Sequence, residues 1–383
     1  MMIRPTIRPL SQHASRSILV ILFLLSLLTW VYVPVLLAWE LSIVTTQLGH
    51  LLALIVVVAM LPLKPWRIRW AAASVKQIDT VYTVLGLAAL ITFLMPLITT
   101  VVEHPGDLNL AQLFKPGDSR TPFKRFSFMA ANGKTPLNLD YYPPTENMRS
   151  PSPWILVIHG GGWINGDSEQ LPELNWHLNR LGYGVISVDY RLSPGWLWPA
   201  PKDDILAALE FIKSRAAEWN LDPNRWVSLG RSAGAQIAGV VSYSLRGEAR
   251  PKGYISFYGP SDLVFGYNVG EENDILRSRT LLRGFLGGTP AAADALYKSA
   301  SVMNEVTRES CPTLLLHGRD DSLVFYRHSQ RLITVLEAQR VDAQLVTVHF
   351  GPHGFDYIFN GPEAQVSTAS VDRFLKRVLP HAL

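Results

Sequence analysis

One serine stands in a pattern suited to nucleophilic chemistry. Residues 229–234 read LGRSAG, so Ser232 has a glycine two positions before it and another two positions after it. An apolar run precedes this pattern and an alanine-rich run follows it, which predicts a strand, a tight turn and a helix. Such a turn presents the serine hydroxyl at the edge of a sheet, and the small flanking residues let strand and helix approach closely. Ser232 is therefore the candidate nucleophile.

A histidine and two aspartates lie in loops further along the chain. His353 follows the apolar run 345–350, and the adjacent Asp320 and Asp321 follow the run 314–316. A histidine can take the proton of a serine hydroxyl, and a carboxylate can hold that histidine in the required tautomer. The order serine, aspartate, histidine is one that nucleophile-turn proteins use. Spacing alone does not choose between the two aspartates.

A glycine-rich loop adds a candidate anion-binding element. The sequence HGGGW occupies positions 159–163, directly after the apolar run 155–158. Successive glycines allow backbone N–H groups to face a cavity, where they can bind a developing oxyanion. The loop therefore complements the candidate nucleophile.

These loops must be positioned by a sheet, and the sequence predicts one. A hairpin around Asn132-Gly133 is followed by strands that alternate with helices. This alternation predicts a mainly parallel sheet with helices on both faces, with ligand sites at the carboxyl ends of the strands. The connection 259–310 is long and is predicted to form a small cap over the site. The predicted strands are 154–159, 184–189, 226–229, 254–258, 313–317 and 345–350, and the predicted helices are 169–181, 203–219, 233–245, 326–340 and 363–378.

The first third of the chain differs in character. Charged residues make up only 17% of the sequence, which is low for a wholly soluble protein. Three uncharged runs, 17–39, 41–63 and 81–102, are long enough to span a membrane. We therefore expect a membrane region over 1–102, a linker over 103–121 and a globular domain over 122–383.

Charges beside these runs predict a topology. Basic residues precede the first run and fill the loop after the second, whereas Glu40, Glu103 and Asp107 follow the first and third. The positive-inside rule then places the N-terminus in the cytoplasm and the globular domain outside a cell (inner) membrane that the chain crosses several times. If the second run, which contains Gln47 and His50, does not span, the globular domain faces the cytoplasm instead.

Composition also limits the partners. Residues 1–80 hold seven basic and two acidic side chains, so the net charge of +4 belongs to the membrane region. A nucleic-acid partner is not expected, because the rest of the chain is close to neutral. Cys311 is the single cysteine, so no intramolecular disulfide can form.

From about residue 120 to 378 the chain resembles α/β-hydrolases of the hormone-sensitive-lipase and feruloyl-esterase-like carboxylesterase group. Residues 1–102 lie outside the resemblance. It implies an α/β-hydrolase fold and hydrolysis of short- to medium-chain acyl or acetyl esters through an acyl-enzyme, without metal or cofactor. The resemblance rests on HGGGW at 159–163, DYRL at 189–192 with Pro199, Ala200 and Asp204, GRSAG at 230–234, HGRDDSLV at 317–324 and HGF at 353–355.

The resemblance also assigns residues to roles. The acid of the family pattern H-G-x-x-D-x-x-V falls on Asp321, which completes a catalytic triad with Ser232 and His353. The oxyanion donors fall on the backbone N–H groups of Gly161, Gly162 and Ala233.

Three side chains are candidate substrate contacts. Arg231 stands where many relatives have an acidic residue, and it is either a solvated charge or an attraction for an anionic group of the substrate. Trp196, in the aromatic stretch 194–199, either lines an acyl pocket, rests on lipid or packs the loop. Trp163, which ends the glycine loop, is the third candidate.

Other functions remain open at this point. An acyltransferase acting on an envelope sugar or lipid would use the same triad, and a related peptidase fits the glycine loop less well. A non-catalytic binding module with a hydrolase fold is the non-enzyme alternative. The expected partners are an ester substrate and the lipid bilayer, and the sequence specifies neither the natural substrate nor the oligomeric state.

Overall fold

The computed structural model describes residues 11–32, 34–63, 73–115, 117, 120–144 and 151–380. Four helices precede the sheet: α1 (Gln12–Ser26), α2 (Leu36–Gln47), α3 (Gly49–Met60) and α4 (Ala73–Glu103). Helices α1, α3 and α4 pack side by side around an apolar core that includes Leu19, Val56 and Phe93. Their other faces expose large apolar side chains such as Ile21, Val84 and Ile91. An apolar outer surface of this kind suits a lipid environment.

Polar contacts define the two ends of this three-helix bundle. At one end the Arg16 guanidinium pairs with the Asp79 carboxylate at 2.7 Å. At the other end His50 Nε2 lies 3.0 Å from the carbonyl oxygen of Leu113, and His104 Nε2 lies 3.1 Å from that of Thr347 in the sheet. Helices α1 and α4 therefore run toward the sheet domain, and α3 runs away from it.

The predicted spans are only partly reproduced as helices. Within the described residues, Gln12–Thr29 and Gln77–Glu103 are long and apolar enough to cross a membrane, and α2 with α3 would make a third crossing if that pair, bent by 82°, is one span. The predicted run 17–39 is not one helix, because helical structure stops at Thr29 and Pro34 precedes α2. A proline lacks the N–H that a continuing helix needs. The run 41–63 is divided by the bend between α2 and α3, and 81–102 lies within α4.

The remaining elements form one mixed sheet with helices on both faces, as predicted. The strand order is β1-β2-β4-β3-β5-β6-β7-β8, with β1, β2 and β4 paired antiparallel and all other neighbours parallel. The strands are β1 (Lys124–Met129), β2 (Pro136–Tyr142), β3 (Ser152–Ile158), β4 (Gly184–Val188), β5 (Leu221–Arg231), β6 (Gly253–Phe257), β7 (Thr313–Gly318) and β8 (Ala343–Val348).

Two apolar cores cover the two faces of the sheet. One contains side chains from α6 (Ala200–Ser214), α7 (Ala233–Ser244) and α11 (Arg327–Ala338). The other contains side chains from α5 (Glu173–Arg180) and α12 (Pro362–Val378). The connection from β6 to β7 carries three short helices, α8 (Leu263–Val269), α9 (Ser278–Leu286) and α10 (Asp294–Ala300). This insertion lies where the cap was predicted.

Helix α2 joins the bundle to the sheet domain. The Trp39 indole N–H donates to the carbonyl oxygen of His353 at 3.1 Å. The Gln47 amide donates to the buried Glu363 carboxyl group at 2.5 Å. Just before α2, the Trp30 ring meets Phe350 edge-on with centroids 5.0 Å apart. The apolar segment and the candidate histidine loop are therefore directly connected.

Candidate active site

Ser232 occupies a strained turn between β5 and α7. Its φ of 51° and ψ of −122° lie outside the region that side chains other than glycine usually adopt. A Cβ atom at Gly230 would overlap the backbone of Gly234, and one at Gly234 would overlap the carbonyl oxygens of Ile158 and His159. The two glycines thus allow the close approach of strand and helix that holds the serine in this conformation.

The structure brings the three predicted polar side chains together. His353 Nε2 lies 3.0 Å from Ser232 Oγ, and His353 Nδ1 lies 2.8 Å from Asp321 Oδ2. His353 is buried and Asp321 is almost fully buried, whereas the side chain of the neighbouring Asp320 is exposed. The sequence alone left two aspartates open, and it is Asp321 that faces the histidine.

The surroundings of Asp321 favour its charged form. Its Oδ1 accepts hydrogen bonds from the N–H groups of Leu323 and Val324 at 2.9 and 2.8 Å, and His317 Nε2 lies 3.2 Å from its Oδ2. Burial acts to raise the pKa of Asp321, but His353 and His317 together outweigh burial and hold that pKa well below its usual value. The carboxylate is therefore ionised and fixed beside His353.

The conformation of the glycine loop is fixed by contacts that do not use the N–H groups of Gly161 and Gly162. Gly161 and Gly162 have φ values of 105° and 60°, which favour glycine. The loop is anchored by Gln170, whose side-chain oxygen accepts from the Gly160 N–H at 2.8 Å, and by stacking of His159 on Tyr190. In the described part of the chain, no group accepts a hydrogen bond from the N–H of Gly161, Gly162 or Ala233.

A cavity of about 340 Å³ opens beside Ser232. Ser232, Gly162, Trp163 and Ala233 line its base. The cap contributes apolar side chains, among them Leu263, Leu281 and Leu282. The volume is at the small end of the range of about 300–1,000 Å³ typical of small-molecule sites.

Arg231 lies away from this cavity, which differs from the predicted contact with substrate. Its side chain is 4% exposed, and its Nε donates to Asp356 Oδ2 at 2.6 Å. The Tyr258 hydroxyl donates to the same carboxylate, and the Tyr258 ring meets the His353 ring at a centroid distance of 4.5 Å. Arg231 is thus neither a solvated charge nor at the mouth of the site, because its partner is buried behind the histidine.

The two tryptophans have different positions. Trp163 lines the cavity, donates from its indole N–H to Gln236 Oε1 at 3.0 Å and stacks on Phe285 of the cap. Trp196 is 41% exposed, lies over the Arg191 guanidinium and is not among the residues that line the cavity. Of the two, only Trp163 is placed to meet a substrate.

Several residues around the site were not found from the sequence. Asp356, Tyr258 and Gln170 support the triad or the glycine loop, and Trp39 contacts the histidine loop from outside the hydrolase-like part of the chain. Asp356 follows the HGF motif by one residue, a proximity that could have drawn attention to it. Trp39 is 314 positions from its partner, and no local signal points to it.

The sheet order, the strained serine turn and the line of serine, histidine and aspartate define an α/β-hydrolase. The BD-FAE family model matches residues 139–336, which is about half of the chain. The chain belongs to the BD-FAE family, within the α/β-hydrolase carboxylesterases.

Relatives and solved structures agree with this assignment. LipM of Mycobacterium tuberculosis, named a probable carboxylic ester hydrolase, is 25% identical over 61% of this chain and 56% of its own length. The ethyl acetate hydrolase of Pseudomonas putida is 28% identical over 56% of this chain and 70% of its own length. A bacterial heroin esterase has a similar fold, with a TM-score of 0.60 and 22% identity over 67% of this chain and 84% of its own. The chain spans about half the length of the first curated relatives it matches.

Proposed function

We propose that this protein is a membrane-anchored serine carboxylester hydrolase. The observation that carries the proposal is the continuous line from Ser232 Oγ through His353 to Asp321, with separations of 3.0 and 2.8 Å. The names of the relatives, which include a carboxylic ester hydrolase and an ethyl acetate hydrolase, support esters as the substrate class.

The proposed reaction begins with attack of Ser232 Oγ on an ester carbonyl carbon. His353 Nε2 accepts the serine proton, and the tetrahedral intermediate then expels an alcohol that takes this proton from the imidazolium. Asp321 stabilises the imidazolium, and it keeps a proton on Nδ1 of His353 so that Nε2 is free to accept the serine proton. A water molecule, activated by the same histidine, attacks the acyl-enzyme and releases the acid.

The developing negative charge on the carbonyl oxygen needs donors that are already in place. The N–H groups of Gly161, Gly162 and Ala233 have no acceptor among the described residues, so all three are free to donate to it. Each donor of this kind typically contributes about 3–4 kcal/mol to the barrier reduction.

The course of the bundle supports an extracytoplasmic hydrolase domain. Helices α1 and α4 run toward the sheet domain and α3 runs away from it, so the chain passes the bundle three times. The start of α1, with Arg16, and the start of α4, with Asp79, lie at the end away from the hydrolase. Most of the basic residues among the first 80 positions are close in sequence to that end. By the positive-inside rule that end is cytoplasmic.

Ser232 can be tested directly in the full-length protein. We expect a fluorophosphonate probe to label the wild-type chain and p-nitrophenyl butyrate to be hydrolysed, while Ser232→Ala loses both signals. Ser214→Ala, which alters a serine on the surface of α6, is the matched control and keeps both. Undiminished turnover by Ser232→Ala would refute the mechanism. Adding an alcohol acceptor and measuring acyl transfer against free acid separates a hydrolase from an acyltransferase.

The topology can be tested with a thiol reagent that does not cross membranes. Cys311 is fully buried, so Leu181→Cys supplies an accessible thiol on the hydrolase surface. We expect this variant to be labelled in intact cells from outside. Labelling only after the cells are broken would place the hydrolase in the cytoplasm.

A further inference from the structure

Part of the wall of the substrate cavity comes from the apolar N-terminal region. Tyr32 and Pro34, in the break between the first helical run and α2, line the same cavity as Ser232. The break lies outside residues 139–336, which match the family model. The cavity is therefore completed by residues from the apolar N-terminal region, outside the matched part of the chain.

A second cavity continues from this wall toward the bundle. It has a volume of about 270 Å³ and shares Tyr32, Ser322 and Phe325 with the first. Leu28, Thr29 and Trp30, at the end of the helix that is long enough to cross a membrane, form one part of its lining, and the charged Arg319 and Asp320 form another. The two adjoining cavities thus extend from the end of a membrane-length helix to the candidate nucleophile.

The residues at this junction are those expected at a bilayer surface. Trp30, Val31 and Tyr32 are each more than half exposed, as are Leu36 and Leu37 at the start of α2. Tryptophan and tyrosine concentrate at the level of the lipid headgroups. The opening between the two cavities therefore lies at the membrane interface when the bundle spans.

The chemistry of the first cavity selects against an anionic substrate. Its charged lining groups are the carboxylates Glu271 and Asp274, and the lining residues that the structure describes include neither lysine nor arginine. His328 lines it as well, and burial lowers the pKa of this histidine to about 3, so it is neutral. A neutral ester avoids the repulsion that these carboxylates would exert on an anionic substrate.

We infer that the substrate is a neutral ester carried by a lipid of the bilayer, and that its acyl chain reaches Ser232 from the membrane past Tyr32. This inference rests on the proposed serine hydrolase function. The lipid remains in the leaflet while its ester carbonyl enters the first cavity. After acyl transfer to Ser232 Oγ and attack by water, a free fatty acid and the deacylated lipid alcohol are the products.

The test uses the full-length protein reconstituted in phosphatidylcholine vesicles with 1,2-didecanoylglycerol, and release of decanoic acid is measured. We expect the initial rate to follow the mole fraction of diacylglycerol in the protein's own bilayer. Adding phosphatidylcholine to the same vesicles at a constant total amount of diacylglycerol should therefore lower the rate in proportion. A rate that follows only the bulk concentration, or no release of decanoic acid by a chain that hydrolyses p-nitrophenyl butyrate, would overturn the inference.

Substitutions of Tyr32 test whether the acyl chain enters the first cavity at this part of its wall. Tyr32→Asp should lower kcat/KM for the vesicle substrate relative to p-nitrophenyl butyrate by about tenfold, because a carboxylate replaces the aromatic ring that the acyl chain would pass, and that carboxylate is costly to desolvate. Tyr32→Phe should keep the wild-type ratio. Leu37→Asp is the matched control, because Leu37 is 62% exposed beside the wall without lining either cavity, and it should also keep the ratio. An unchanged ratio in Tyr32→Asp would contradict entry at this wall.

Failure of the proposed function gives a different pattern. If Ser232 is not the nucleophile, neither substrate is turned over through it and the fluorophosphonate probe does not label it. If only the inference fails, labelling and turnover of the soluble ester persist while the bilayer dependence is absent.

Discussion

Replacing Arg231 with methionine tests the ion pair behind the histidine. Methionine preserves most of the volume and the apolar stem but removes the charge that faces Asp356 at 2.6 Å. The two side chains are 4% and 6% exposed, so the carboxylate left behind would be buried without its counter-charge. Breaking a buried pair in this way typically costs about 3–5 kcal/mol.

The assay is thermal unfolding of the full-length protein in detergent, followed by near-ultraviolet circular dichroism. The expected loss corresponds to a fall in Tm of roughly 6–20 °C for a domain of this size. Adding Asp356→Asn to Arg231→Met removes the orphaned charge and keeps an acceptor for the Tyr258 hydroxyl, so the double variant should recover most of the loss.

The same variants distinguish this structural role from the substrate contact expected from the sequence. If Arg231 attracted an anionic substrate group, Arg231→Met would raise KM for an anionic ester relative to a neutral one and leave Tm nearly unchanged. We expect the reverse, with a constant KM ratio and a large loss of Tm. A Tm within 2–3 °C of wild type, equivalent to about 1 kcal/mol, would refute the reasoning.

Three further predictions concern the triad and its junction with the bundle. Asp321→Asn should lower kcat for p-nitrophenyl butyrate by about 10⁴-fold, because the amide favours the wrong tautomer of His353. Tm in the same detergent should fall as well, because the lowered pKa of Asp321 means that its charge stabilises the folded state. Trp39→Phe removes a donor worth about 0.5–1.5 kcal/mol and should lower kcat without raising KM, whereas Trp196→Phe, on a tryptophan away from the cavity, should not change it. Burial raises the pKa of Glu363 from 4.5 to about 8, so the folded state binds the extra proton. The contribution of Glu363 to stability should therefore be fully present below pH 4.5 and be lost as the pH rises to 8. The loss is on the order of 5 kcal/mol, and it should appear as a difference between wild type and Glu363→Gln in Tm measured against pH.

Much of the sheet domain could be predicted because its signals are local. Short apolar runs mark β3 to β8, and the glycines around Ser232 report a close approach that only small residues allow. His353 and the two aspartates could be placed at the same edge of the sheet, because parallel strands end together there. Only the family pattern or the structure distinguishes Asp321 from Asp320 as the partner of His353, because spacing does not show which of two adjacent side chains faces the histidine.

The remaining features depend on partners far apart in the chain. From the sequence, Arg231 is interpreted as a solvated charge or an attraction for an anionic substrate group, because nothing near it in sequence reveals Asp356, 125 positions later. The first apolar run predicted a span over 17–39, whereas the membrane-length helix covers Gln12–Thr29, because hydropathy alone does not show where helical structure stops before Pro34. The bond from Trp39 to His353 arises only when helix and sheet pack together, which composition and periodicity do not encode.

The contacts of α2 bear on how this protein is prepared. Deleting residues 1–102 is an obvious way to obtain a water-soluble fragment that keeps the sheet domain. That deletion would remove Trp39 from the histidine loop, leave the buried Glu363 without Gln47 and remove Tyr32 from the wall of the cavity that Ser232 also lines. Rates measured on such a fragment would describe a cavity of different shape, with His353 held by fewer contacts. Selectivity among substrates therefore has to be determined on the whole chain in a lipid or detergent environment.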